Sequence, residues 1–99
     1  MAGYRDGSGW SDLNELKCLL AYKQLEEENF PRGKLSALAE DISRESGLGV
    51  RSIKAKIGNY KSVAGITENS NASRSTISMY RNYGHLTSSV LKILVLSGK

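Results

Sequence analysis

One histidine, His85, and one cysteine, Cys18, are the only side chains of their kind in the chain. That pair cannot build a zinc site of the usual kind, and a histidine-based triad would have to use His85 alone. The serines between positions 73 and 78 and at 88 and 89 have no base near them in sequence, and no glycine-rich phosphate loop occurs. His85, beside Gly84, reads as a loop or cap residue, and Cys18 reads as structural. The residues therefore offer no catalytic constellation, no metal site and no cofactor, and the chain reads as a non-enzyme. What remains is non-covalent recognition. Arg51, Ser52, Lys54, Asn59 and Lys61 stand close together around Ala55 and Gly58. Guanidinium, ammonium and amide donors at that spacing reach phosphates or base edges, and small residues between them admit a close partner.

Such a set works only on a rigid element. Val50, Ile53, Ile57, Tyr60 and Ala64 recur at helical spacing, which predicts an amphipathic third helix. With the apolar stripe centred between Ile53 and Ile57, the opposite side carries Arg51, Ser52, Lys54, Ala55, Gly58 and Asn59, with Lys61 near the boundary. Gly58 inside a helix costs about 1 kcal/mol relative to alanine. Close approach to another surface is one reason for it, and intramolecular helix packing is another. Just upstream, Leu35, Leu38, Ala39 and Ile42 predict a second helix that begins near Lys34 to Ser36 and ends at Gly47, and Gly47-Leu48-Gly49 is a short turn. Two helices joined by a tight glycine turn, the second basic, form the pattern of a helix-turn-helix.

A first helix is predicted from Ser11 or Asp12, either of which can cap it, to about Glu28, and Asp12 with Glu15 resembles a capping box. Its apolar residues spread over most of the circumference, which predicts a central helix touching several neighbours. Trp10 reads as its core anchor, and Glu26, Glu27 and Glu28 as solvated charge. Pro31 and Gly33 break the chain before the second helix. After a polar loop at 65–72, Ser73 can cap a fourth helix carrying Ile77, Met79, Tyr80 and Tyr83 and stopping at Gly84. Thr87 can cap a fifth, whose run from Val90 to Leu96 is too apolar for a solvated tail. The expectation is an all-α domain of about five short helices with a helix-turn-helix-like, trihelical centre, spanning 10–99 behind a flexible lead-in at 1–9.

A length of 99 residues and 39% apolar composition suit one folded domain. The formal charge of +4 hides an asymmetry. Residues 1–48 hold nine acids against six bases, while residues 49–99 hold eight bases against Glu68 alone. Such polarity points towards nucleic acid or an acidic surface. Tyr60, Tyr80 and Tyr83 interleave with Lys61, Arg74 and Arg81, which suits base stacking, a ligand pocket or simply a core. A lone cysteine and the lack of a long apolar run favour a cytoplasmic setting with no membrane partner.

The stretch from Arg51 to Gly65 resembles a segment of the N-terminal helical domain that precedes the HNH nuclease in modification-dependent, McrA-type restriction endonucleases and related HNH proteins. Arg51, Ser52, Ile53, Lys56, Ile57, Asn59 and Tyr60 stand at the matching places. Trp10, Glu15, Leu19 and Tyr22 are similar to that family's opening helix, and Ser78 to Gly84 to its later tyrosine-containing helix. The resemblance implies DNA recognition, with sensing of modified bases such as 5-methylcytosine, in a restriction-type or phage-related system. HNH-like nuclease residues do not occur in the chain, and Val63, Ala64 and Gly65 replace the acidic residue and proline that often follow the Asn-aromatic pair.

The expected partner is double-stranded DNA. Arg51, Lys54 and Lys61 would serve phosphates, Ser52 and Asn59 base edges, Arg74 and Arg81 would extend the basic surface, and Lys56 belongs to the same DNA-binding set. Two alternatives remain open. One is a protein-interaction module in which the apolar last helix mediates a homodimer, and the other is a Myb-like or homeodomain-like transcriptional regulator.

Overall fold

A computed structural model describes residues 10–65 and 74–97. The lead-in at 1–9, most of the loop at 65–72 and the Ser73 cap lie outside the described residues. Five helices follow one another, α1 (Asp12–Glu27), α2 (Lys34–Ser46), α3 (Val50–Val63), α4 (Arg74–Tyr83) and α5 (Ser88–Ser97), with no strand among the described residues.

Helix α1 starts where Ser11 accepts a hydrogen bond from the Asn14 amide at 3.1 Å. Ser11 rather than Asp12 is therefore the cap. Asp12 is the first helical residue, so it does not hold the cap position that a capping box with Glu15 needs. An apolar circumference needs neighbours on all sides, and α1 packs against each of the other four helices. Helices α1, α2 and α3 also contact one another pairwise, which makes the trihelical centre. Cys18, Leu19, Tyr22, Ala39, Ile53, Tyr60 and Leu91 are completely or almost completely enclosed in the core. Trp10 packs half-buried against it, as its apolar bulk requires.

The α1–α2 connection contains two consecutive non-glycine residues in the left-handed region, Asn29 at φ 62° and Phe30 at φ 54°. A bulky residue there is a genuine outlier. It is held because the Phe30 amide donates to the Leu25 carbonyl at 2.7 Å and its ring sits 6.2 Å from that of Tyr22. Gly47, at φ 81°, ends α2 in the left-handed conformation that glycine adopts without strain. The turn after it is pinned on both sides, by the Ser43 hydroxyl donating to the Leu48 carbonyl at 2.6 Å and by the Ser46 hydroxyl accepting from the Leu48 amide at 3.1 Å. Leu48 itself is buried, so the start of α3 is fixed in direction.

Candidate nucleic-acid interface

Helix α3 divides into two faces. Ile53, Lys56, Ile57 and Tyr60 are buried, while Arg51, Ser52, Ala55 and Gly58 are exposed and Lys54 and Asn59 half-exposed. The structure thus gathers Arg51, Ser52, Lys54 and Asn59 around the small residues Ala55 and Gly58. A Cβ built on Gly58 would meet nothing within 4 Å among the described residues. Packing among the described residues does not require this glycine. The first turn of α3 contains no acid, and no side chain caps it at Gly49. Its amides and Arg51 together make this end of the helix electropositive.

Lys56 leaves the expected set. It occupies the inner face, only 9% exposed, because it is paired with the buried carboxylate of Glu15. Lys56 Nζ lies 3.2 Å from Glu15 Oε1 and donates to Thr76 Oγ1 at 3.0 Å. Thr76 in turn donates to Glu15 Oε2 at 2.8 Å, and the Tyr60 hydroxyl donates to the same oxygen at 2.5 Å. The ammonium also stands 4.7 Å from the centroid of the Trp10 ring. A buried ion pair holds only when its remaining donors and acceptors are met, and Tyr60, Thr76 and Trp10 contribute to meeting them. The arrangement fastens α1, α3 and α4 to one another. It was concealed in the sequence because Glu15 sits at a plausible first-turn position and Lys56 in a basic run. The one signal available was that Lys56 lies on the apolar side of the wheel, beside Ile53, Ile57 and Tyr60.

Tyr60 also leaves the set of exposed aromatic candidates. It is fully enclosed, stacked at 6.5 Å on Tyr22. Tyr80 is half-buried, with its ring edge-on to Tyr22 at 6.5 Å. Of the three tyrosines, Tyr83 alone is exposed, at 37%.

Lys61 sits at the far end of α3, its ammonium 4.5 Å from the centroid of the Phe30 ring. Lys61, Phe30, Gly58, Ile57, Leu25 and Leu35 border a shallow concavity of about 200 Å³ together with Pro31. Because Phe30 closely follows Glu26, Glu27 and Glu28, this end of α3 comes down near the acidic run, whereas Arg51 and Lys54 belong to the first turns. Each glutamate has an occupation. Glu26 accepts from the Tyr22 hydroxyl at 3.0 Å, Glu28 pairs with Lys34, and Glu27 accepts from the Ser88 amide at 2.8 Å and hydroxyl at 2.6 Å. The two bonds from Ser88 hold the Glu27 carboxyl below the usual carboxylate range.

Arg74 and Arg81 are exposed on α4. Thr76 ties the start of that helix to the middle of α3, and Arg74 precedes it by two residues. Arg81 lies near the other end, where Lys23 of α1 donates to the Gly84 carbonyl at 2.8 Å. His85 is exposed in the α4–α5 turn, and Cys18 is buried. Desolvation, with the Glu15 charge adding to it, pushes the Cys18 thiol up to about 12. Among the described residues no group of three or more His, Cys, Asp or Glu could hold a metal ion, and no helix is long and apolar enough to cross a membrane.

No family model, curated protein or solved structure matches this chain.

Proposed function

We propose that this domain is a cytoplasmic module that binds double-stranded DNA by laying the outward face of α3 in the major groove. The observation that carries the reading is the open Gly58 on an exposed helix face shared with Arg51, Ser52, Lys54, Ala55 and Asn59. A helix interior tolerates glycine at a cost, and nothing among the described residues uses its lack of a side chain. A groove wall, approached closely by the backbone, does use it. Arg51 and Lys54 contact phosphates, Ser52 and Asn59 approach base edges, and Arg74 extends the basic surface from α4. Lys61 and Arg81 lie at its margins, where Tyr83 is available for stacking.

The turn between α2 and α3 supports the helix-turn-helix geometry, since Leu48 and its two serine partners fix the angle at which α3 leaves the turn. The resemblance of residues 51–60 to the McrA-type domain adds modified bases as targets and a restriction-type or phage-related setting. Phosphate neutralisation makes the affinity depend on salt. With about four phosphates engaged, it falls roughly 150-fold between about 50 and 200 mM salt. Titration of a duplex at those two concentrations tests this, and no binding at low salt, or binding indifferent to salt, overturns it. Comparing methylated and unmethylated duplexes of one sequence tests the modified-base component, which predicts tighter binding to the methylated form.

A further inference from the structure

The shallow concavity beside α3 has apolar walls and a basic rim. Leu25, Phe30, Leu35 and Ile57 supply the walls, its volume is about 200 Å³, and Lys61 is the one charged residue bordering it among the described residues. Glu26 and Glu28, the nearest acids along the chain from Phe30, do not border it and are paired with Lys23 and Lys34. Phe30 takes its place in the wall from a left-handed backbone, φ 54°, that bulky residues rarely adopt. Backbone outliers of this kind cluster where ligands are held.

The concavity meets the outward face of α3 at Gly58, which is exposed and also borders it. Arg51, Lys54, Gly58 and Lys61 follow one another at intervals of three, four and three residues, a single row along the helix. A side chain at Gly58 would stand at the mouth of the concavity. Glycine leaves it open, with Lys54 and Lys61 on either side, about 10 Å apart along the axis. An occupant must therefore bring a small apolar group flanked by anions. In the major groove, where phosphates flank the base edges, ordinary B-DNA displays one apolar group, the C5-methyl of thymine, and 5-methylcytosine carries the same group at the same ring position.

We propose that this concavity is a specificity-determining subsite for the C5-methyl group of a pyrimidine. The methyl group enters through the gap at Gly58 and seats against Phe30 and Ile57, while Lys54 and Lys61 meet phosphates on either side. The inference rests on the duplex-binding reading of α3. It adds the base feature that Ser52 and Asn59, which read by hydrogen bonds, do not detect.

Pools of random-sequence duplex that differ only in their pyrimidines test it. One contains uracil in place of thymine and so has no methyl group, one contains thymine, and one contains uracil with 5-methylcytosine. Both methyl-bearing pools are expected to bind roughly fourfold more tightly than the methyl-free pool at low salt, the worth of one buried methyl group. A gain with one of them alone supports the subsite and assigns its source. Leu35→Phe, which fills the concavity from a half-buried position, abolishes the gain without weakening binding to the methyl-free pool, and a thermal melt checks that it is folded. Lys61→Gln weakens binding to every pool alike and keeps the gain. In the unaltered protein, resonances of Phe30, Leu35 and Ile57 shift more with the thymine pool than with the methyl-free pool. Equal binding to all pools overturns the inference and leaves duplex binding standing, as does a gain that survives in folded Leu35→Phe. Binding to no pool overturns both readings together. Resonances of the concavity that move with an amphipathic acidic peptide and not with thymine duplex assign it to a protein partner and overturn the inference.

Discussion

Gly58 and Lys56 lie two positions apart on one helix and have opposite fates. Gly58→Ala adds a methyl group into open space and removes backbone freedom from the unfolded chain, so it stabilises the domain by up to about 1 kcal/mol. If the groove-docking reading holds, the same substitution weakens duplex binding, since the methyl group intrudes between helix and partner. A denaturant melt and a binding titration on one protein sample read both effects, and a variant that is more stable and binds equally well removes the reason for the glycine. Lys56→Met, by contrast, strips the counter-charge from a fully buried Glu15 and is expected to cost about 3–5 kcal/mol. Pairing it with Glu15→Leu costs less than the two single changes together, because no charge is then stranded. Thermal or chemical unfolding of the three variants gives the coupling. Cys18 behaves as its enclosure dictates. Its thiol, pushed up to about 12, stays protonated and slow towards thiol reagents at neutral pH, then reacts fully once the protein is unfolded. Since the unfolded thiol ionises from about its ordinary value of 9.0, this group lowers stability only as pH rises above that value.

At the scale of elements, periodicity made the helices legible. The expected limits of the first three, near Ser11–Glu28, from between Lys34 and Ser36 to Gly47, and Val50–Ala64, agree closely with α1, α2 and α3. Glycine and proline punctuation marked the breaks, and the all-round apolarity of the first helix marked it as the one the others surround. What escaped was which polar residues turn inward. Glu15, Lys56 and Thr76 are brought together from three helices, and no local pattern encodes a contact between residues 61 apart such as Glu15 and Thr76. The same limit hid the anchor of the last helix. Val90 donates weakly to the Thr87 hydroxyl at 3.4 Å, in line with a Thr87 cap, but Ser88 is held more closely by Glu27 on α1. Glu27→Gln is expected to loosen α5 from its first turn, seen as faster amide exchange at Ser88–Leu91. Acid does the same. Because the folded carboxyl titrates below its ordinary value, its contribution is present at neutral pH and disappears as pH falls through the folded pKa. Gly84 is a second element-scale constraint. A Cβ there would stand 2.5 Å from the Tyr80 carbonyl oxygen and 2.6 Å from its ring. Gly84→Ala therefore forces the end of α4 to shift and lowers the melting temperature.

For the molecule as a whole, net charge says little and its placement says more. The acidic first half becomes α1, α2 and their junction, where the glutamates are tied up with Tyr22, Lys34 and Ser88. The basic second half becomes α3, α4 and α5. Arg51→Ala is expected to weaken binding to all duplex sequences alike and to reduce the salt slope by about one.

The buried cluster of Glu15, Lys56, Tyr60 and Thr76 also imposes an order in time. A ribosome releases α1 first, and its carboxylate waits for Lys56 and Tyr60 until α3 emerges, and for Thr76 until α4 follows. Until then, closing the trihelical centre would enclose a carboxylate short of one of its hydrogen-bond donors. The domain is thereby biased to complete its packing late, when most of it has left the exit tunnel, rather than helix by helix as it appears.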